Sequence, residues 1–214
     1  MYHKNDFIQK LGRKFGKFAI QKLMMYIVGG MAIMFVASFV SPVNIISLFA
    51  FDTSSIMQGE IWRIFTFIFI PPNASPIFIL FALYFYWFIG SALENKWGAF
   101  RFNIFYLCGI IGTIIAGLIT GFATNFYLNL SLFFAFAVLF PNFEVRLFFV
   151  LPIKIKWLAY VNLAFFVYEF IMISWPGRVA LLVSILNIIL FFGKDFIDGI
   201  NRKRRQKKWK KNIR

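Results

Sequence analysis

Two serines, Ser131 and Ser184, lie inside long apolar runs of the chain, and so does one carboxylate, Glu169. A serine becomes a nucleophile only when a base takes its proton and donors hold the resulting oxyanion. The base is what the sequence lacks. His3 is the only histidine, and every lysine flanks the apolar runs instead of sitting within them. The two hydroxyls therefore read as helix–helix hydrogen-bond formers, as do Asn129, Asn162 and Asn187. Glu169 is a different case, because a carboxylate at membrane depth is costly and marks a functional candidate. At 1.5 Å per residue it lies roughly 9 Å below the nearer end of its run, where it is expected to be protonated or paired with Arg178 or Arg63. Cys108 is the single cysteine, so no disulfide framework, cysteine-based metal site or cofactor is expected.

The setting of these residues follows from composition. Hydrophobic residues make up 61% of the 214, charged ones 14%, and 32 are Phe, more apolar surface than a water-soluble domain can cover. The formal net charge of +15 is concentrated in termini and short loops. Lys4, Lys10, Arg13, Lys14, Lys17 and Lys22 precede the first apolar run; Lys96 and Arg101, then Arg146, Lys154 and Lys156, occupy two interior loops; ten more lie in 194–214. Only Arg63 and Arg178 fall on the other side of the zigzag these runs draw. Basic residues are retained on the cytoplasmic face, so both termini are expected there, with an even number of spans. The first run is long enough to span and lacks a small-residue cleavage pattern, so it reads as a span and not as a leader.

A spanning helix needs about 20 mostly apolar residues. Six candidates stand at about 24–40, 77–93, 103–122, 127–140, 157–175 and 179–192. The predicted organisation is a basic cytoplasmic segment (1–22), an all-α six-helix membrane domain (23–193) and a polybasic cytoplasmic tail (194–214). The stretch Ser41–Pro76 is too broken to span and reads as an outer-face segment with short helices lying flat in the interface. Glu94-Asn95-Lys96-Trp97-Gly98 reads as a charged turn. The third span carries Gly117-xxx-Gly121, a spacing that lets helix backbones approach closely, either within one bundle or between two copies. The tail suits anionic lipid headgroups, at about 1 kcal/mol per basic residue, better than nucleic acid. Abundant Phe, Ile, Lys and Asn fit an AT-rich bacterial coding sequence, and a bacterial cell membrane is the expected location.

Three stretches resemble the rhomboid superfamily of six-helix intramembrane serine proteases and their inactive relatives. Gly59-Glu60-Ile61-Trp62-Arg63 is similar to the Trp-Arg motif that follows the first helix in rhomboid proteases and derlins. Gly90-Ser91-Ala92-Leu93-Glu94 with Gly98 and Arg101-Phe102 resembles the end of the second helix. Ala137-Val138-Leu139-Phe140-Pro141-Asn142 and the loop to Lys156 resemble the exit of the fourth. The resemblance implies a role for Trp62 and Arg63 in contacting clients or lipid, and structural roles for Glu94, Gly98 and Arg101. An interface-anchored loop helix is an equally good reading of Trp62-Arg63, and Glu94 with Arg101 is expected to form a cap and ion pair between helices two and three.

The resemblance also locates the catalytic positions. Counted back from Glu94, the family's oxyanion-supporting residues fall on Phe78 and Ala82; counted back from Pro141, its serine falls on Phe126; its histidine falls near Val183 or Ser184. The Ser–His dyad is thus absent, and no enzyme activity is expected. The expected function is that of a derlin-like pseudoprotease that binds transmembrane clients and locally thins the bilayer. An intramembrane serine peptidase is the rival, and a small transporter is disfavoured by the scarcity of paired intramembrane charges and of inverted repeats. The client and the oligomeric state stay open.

Overall fold

Four helices of the computed structural model are apolar on nearly every side, which suits lipid and not water. They are α2 (Leu23–Val40), α6 (Pro76–Trp97), α7 (Ala99–Thr120) and α9 (Ile155–Met172), and each is long and apolar enough to cross a membrane. Two shorter apolar helices, α8 (Phe126–Leu139) and α10 (Gly177–Asn187), complete the set. The structure describes residues 6–73, 75–147, 151–172 and, in interrupted runs, 174–191. Ser184, His3 and the basic tail 194–214 lie outside the described residues.

One of the two shorter helices is the most enclosed. On α8, Leu128, Asn129, Ser131, Leu132, Phe133, Ala135, Phe136 and Ala137 are all buried, whereas α2 buries only Met24, Ile27 and Met31. The core forms where α8 meets Leu83, Ile89 and Leu93 of α6, Phe102 and Phe105 of α7, and Ile155 of α9. Small residues set how near the backbones come. A Cβ added at Gly109 would overlap Leu128 of α8, and one at Gly112 would lie 2.6 Å from Val183 of α10.

The boundaries differ from the sequence expectation in instructive places. The run Glu94–Trp97 is not a turn but the last turn of α6. The break comes one residue later, at Gly98 with φ 84°, which alone separates α6 from α7; glycine adopts that backbone without a Cβ penalty. The loop 142–156 is not irregular, and the chain is therefore not purely helical. It contains an antiparallel hairpin of β3 (Glu144–Leu147) and β4 (Leu151–Lys154), with Glu144 opposite Lys154 and their side chains 3.9 Å apart.

Residues 41–75 fold into short pieces: α3 (Ile45–Phe49), β1 (Phe51–Asp52), α4 (Thr53–Met57), α5 (Arg63–Thr66) and a 3-10 turn (Phe67–Phe69). They are tied to the α7–α8 connection, where β2 (Phe122–Ala123) pairs antiparallel with β1. At the N-terminus, α1 (Asp6–Phe15) and a 3-10 turn (Gly16–Phe18) precede α2. Gly12 brings α1 against the Phe100 ring at the start of α7.

Candidate functional site

The sequence-derived positions sort into two regions, an anchor built on residues 41–75 and a cleft between helices. The anchor explains Trp62 and Arg63. A helix leaves its last carbonyls without partners, and α3, only five residues long, ends in four of them. Arg63 Nη1 donates to the carbonyls of Ser47 (2.6 Å) and Ala50 (2.8 Å). Trp62 Nε1 donates to Leu48 O at 3.3 Å and Thr66 Oγ1 to Phe49 O at 2.9 Å. Arg63 is 6% exposed, and its Nε is held by Glu60. Its guanidinium is thus turned inward onto its own chain, a correction to the expectation that it contacts clients or lipid. Trp62 keeps half of its surface exposed.

The anchor continues to Gly117 and Gly121, which act differently from a helix-pairing motif. A Cβ on Gly117 would stand 2.6 Å from the Phe51 ring and 2.7 Å from Ala123, so this glycine admits the loop and not another helix. Thr53 Oγ1 donates to Gly117 O at 3.0 Å, and Thr53 N to Gly121 O at 2.9 Å. Gly121 ends α7 in the left-handed region, φ 98°, with nothing within 4 Å of an added Cβ. Asn125, to which sequence reasoning gave no role, donates through Nδ2 to Ile68 O (2.9 Å) and Ile70 O (2.8 Å). These bonds fix the residue immediately before α8. Asp52 caps α4, accepting from Ser54 Oγ (2.5 Å) and from Ser55 N at 2.8 Å. These hydrogen bonds, Ser54's first, hold its pKa down at about 2.

Two expected ion pairs are not formed. Glu94 Oε1 accepts from the backbone N–H of Lys22 at 2.7 Å, so it caps the entrance to α2, while the Arg101 guanidinium lies over the Trp97 ring at 5.6 Å. Arg178 Nη2 donates to Ile171 O at 3.1 Å, and Glu169 has no ion pair among the described residues. The three intramembrane asparagines also divide. Asn187 Nδ2 reaches Phe105 O of α7 at 3.5 Å, as interhelical bonding requires. Asn162 Nδ2 turns back to Leu158 O of its own helix at 2.9 Å, and the Oδ1 of Asn129, 3% exposed, has no partner among the described residues.

That unpartnered oxygen belongs to a residue lining a cleft of about 250 Å³ between α6, α8 and α9. Phe81, Phe85, Phe126 and Phe133 supply much of its wall, and Tyr86, Asn129 and Asn162 are its polar lining residues. Among the described residues, no Asp, Glu, His, Lys or Arg lines it. Ser131 is fully buried with its Oγ donating to Leu128 O at 2.7 Å, and it does not line the cleft.

The family model of the Rhomboid domain matches residues 58–193. The chain belongs to the rhomboid family. No curated protein matches it at a significant level. In this rhomboid chain the position counted as the family's serine, Phe126, is the first residue of α8 and opens onto the cleft. Phe78, counted as an oxyanion position, is 60% exposed on the first turn of α6; Ala82, the other, is half-buried one turn on. Val183, the described neighbour of Ser184, packs near Gly112.

Proposed function

We propose that this rhomboid protein is a non-catalytic, multi-pass membrane protein that packs transmembrane helices of client proteins across the mouth of the cleft between α6, α8 and α9, which takes up single apolar side chains. The observation that carries the reading is Phe126. A ring stands where the family's nucleophile is counted, at the rim of a cleft lined by aromatic side chains in a chain whose only histidine is His3. Acyl transfer needs a base and oxyanion donors at that point, whereas an aromatic wall with one unpartnered carboxamide oxygen suits the packing of an apolar helix.

On this reading all six apolar helices span, both termini face the cytoplasm, and the polybasic tail rests on anionic headgroups. The 14 residues of α8 reach only about 21 Å at 1.5 Å per residue, short of the roughly 30 Å hydrocarbon core, so the bilayer thins beside it. The test is labelling of the full-length protein in membranes with a fluorophosphonate probe, alongside incubation with a model transmembrane substrate. No labelling and no cleavage are expected. Specific labelling of Ser131 or Ser184 would overturn the reading in favour of a serine peptidase.

A further inference from the structure

A second cavity, of about 450 Å³, opens between the N-terminal segment, α2 and α7, and shares no lining residue with the client cleft. Phe15, Phe18 and Ile20 form its outer rim, Leu23 and Ile27 one wall, and α7 from Phe100 to Ile110 the other, with Ile68 and Phe69 also lining it. Phe69 packs on Gly30, midway along α2, where a Cβ would overlap its ring. The groove therefore runs from the start of α2 and α7 towards their middle. Ten residues of α7 correspond to roughly 15 Å, about half the hydrocarbon thickness of a bilayer. That is the depth of one leaflet, which fits an acyl chain and not a spanning helix.

The rim carries the complementary charge. Lys14 Nζ stands 5.5 Å from the centre of the Phe15 ring and Lys17 Nζ 5.1 Å from that of Phe18, so both ammonium groups sit beside groove-lining rings, and both residues are exposed. Asp6 is the only acidic residue before Asp52, so this segment offers them little competition. The segment itself is amphipathic: Leu11 and Phe15 share one side of α1, and Arg13 falls on another, the pattern of a helix lying in the headgroup region. We infer that this groove holds one acyl chain of an anionic phospholipid from the leaflet on the N-terminal side, with its phosphate between Lys14 and Lys17.

The test uses the full-length protein in liposomes containing phosphatidylglycerol whose acyl chain bears a photoactivatable diazirine, with the matching phosphatidylcholine as a control. Adducts are mapped by mass spectrometry. They are expected to concentrate on Leu23, Ile27 and Ile104–Ile110 with the anionic lipid, and to fall roughly tenfold in the double variant Lys14→Gln/Lys17→Gln. Adducts on the exposed face of α9 should persist there, reporting an intact fold. Leu107→Trp, a change at a half-exposed groove residue, should remove the adducts on Leu23 and Ile27 while leaving the lysines in place. Equal labelling by the two lipids, adducts no denser in the groove than on α9, or indifference to both variants would each overturn the assignment. Capture of a protein segment across the groove in place of lipid would do the same.

Discussion

The anchor and the cleft between α6, α8 and α9 are both walled by α8 or the residues leading into it, yet they treat polar groups in opposite ways. In the anchor, the four carbonyls from Ser47 to Ala50 each find a donor, and both N–H groups of the Asn125 amide are used. In the cleft, the lining residue Asn129 leaves its Oδ1 without a partner. A satisfied network rigidifies, whereas an unsatisfied buried acceptor costs free energy until something donates to it. The contrast separates the part of the molecule that holds α8 in place from the part that, on the proposed reading, packs against another molecule.

The most direct way to break this division is to remove Arg63. Arg63→Ala strands the Ser47 and Ala50 carbonyls, whereas the partly exposed Glu60 carboxylate keeps contact with water, so the change should cost about 2 kcal/mol. The expected outcome is a clearly lower unfolding midpoint in detergent, with crosslinking of clients from α6 and α9 unchanged per folded molecule. Lost crosslinking in a fully folded variant would return Arg63 to the binding surface. Gly117→Leu attacks the same anchor by volume. Its side chain would enter the space of Phe51 and Ala123, and overpacking of this kind costs roughly 1–3 kcal/mol. Thermal unfolding reads this effect too, and proteolysis should become faster between residues 41 and 75 than elsewhere.

How much of this was legible in the sequence depends on whether the signal was local. The helices α2, α6, α7 and α9 follow from runs of apolar residues, a property each segment carries alone. The last turn of α6 was hidden because Glu94 and Lys96 look like loop residues until Lys22, 72 positions away, is seen to donate to Glu94. The hairpin of β3 and β4 was masked by Pro152, since proline inside a run argues against a strand. Arg63 was expected either to contact clients or lipid or to snorkel from an interface-anchored helix. Its burial depends on α3 ending beside it, and no pattern in the sequence announces that. Asn125 had no signal at all, because its partners are 55 and 57 residues away. The cleft was not foreseen: the motif spacing marked Phe126 only as the family's serine position, and its place at the cleft's rim depends on how α6, α8 and α9 pack.

A smaller effect sharpens the other side of the comparison. Asn129→Leu replaces a buried carboxamide whose oxygen lacks a partner, so stability should change by less than about 1 kcal/mol, in either direction. Client crosslinking should nevertheless fall if a donor on the client completes this oxygen. A large loss of stability would mean instead that Asn129 belongs to a structural network, and the division between anchor and cleft would fail at that residue.

The smallest effect lies in pH and tests whether the anchor's hydrogen bonds contribute in solution. Asp52 accepts from Ser54 and Ser55, and these bonds depress its pKa from 3.8 to about 2. A depressed carboxylate stabilises the fold above the unfolded pKa, and that contribution is lost as pH falls through the folded one. The wild type should therefore unfold at a higher midpoint than Asp52→Ala at pH 5, and the difference should shrink between about pH 4 and pH 2. Because Asp52 is partly exposed, water competes for its carboxylate and the shift should be small. If the two proteins run parallel across that window, the α4 cap does not hold the loop, and the anchor reduces to Thr53, Asn125 and the bonds of Arg63 to the Ser47 and Ala50 carbonyls, none of which has a titratable acceptor.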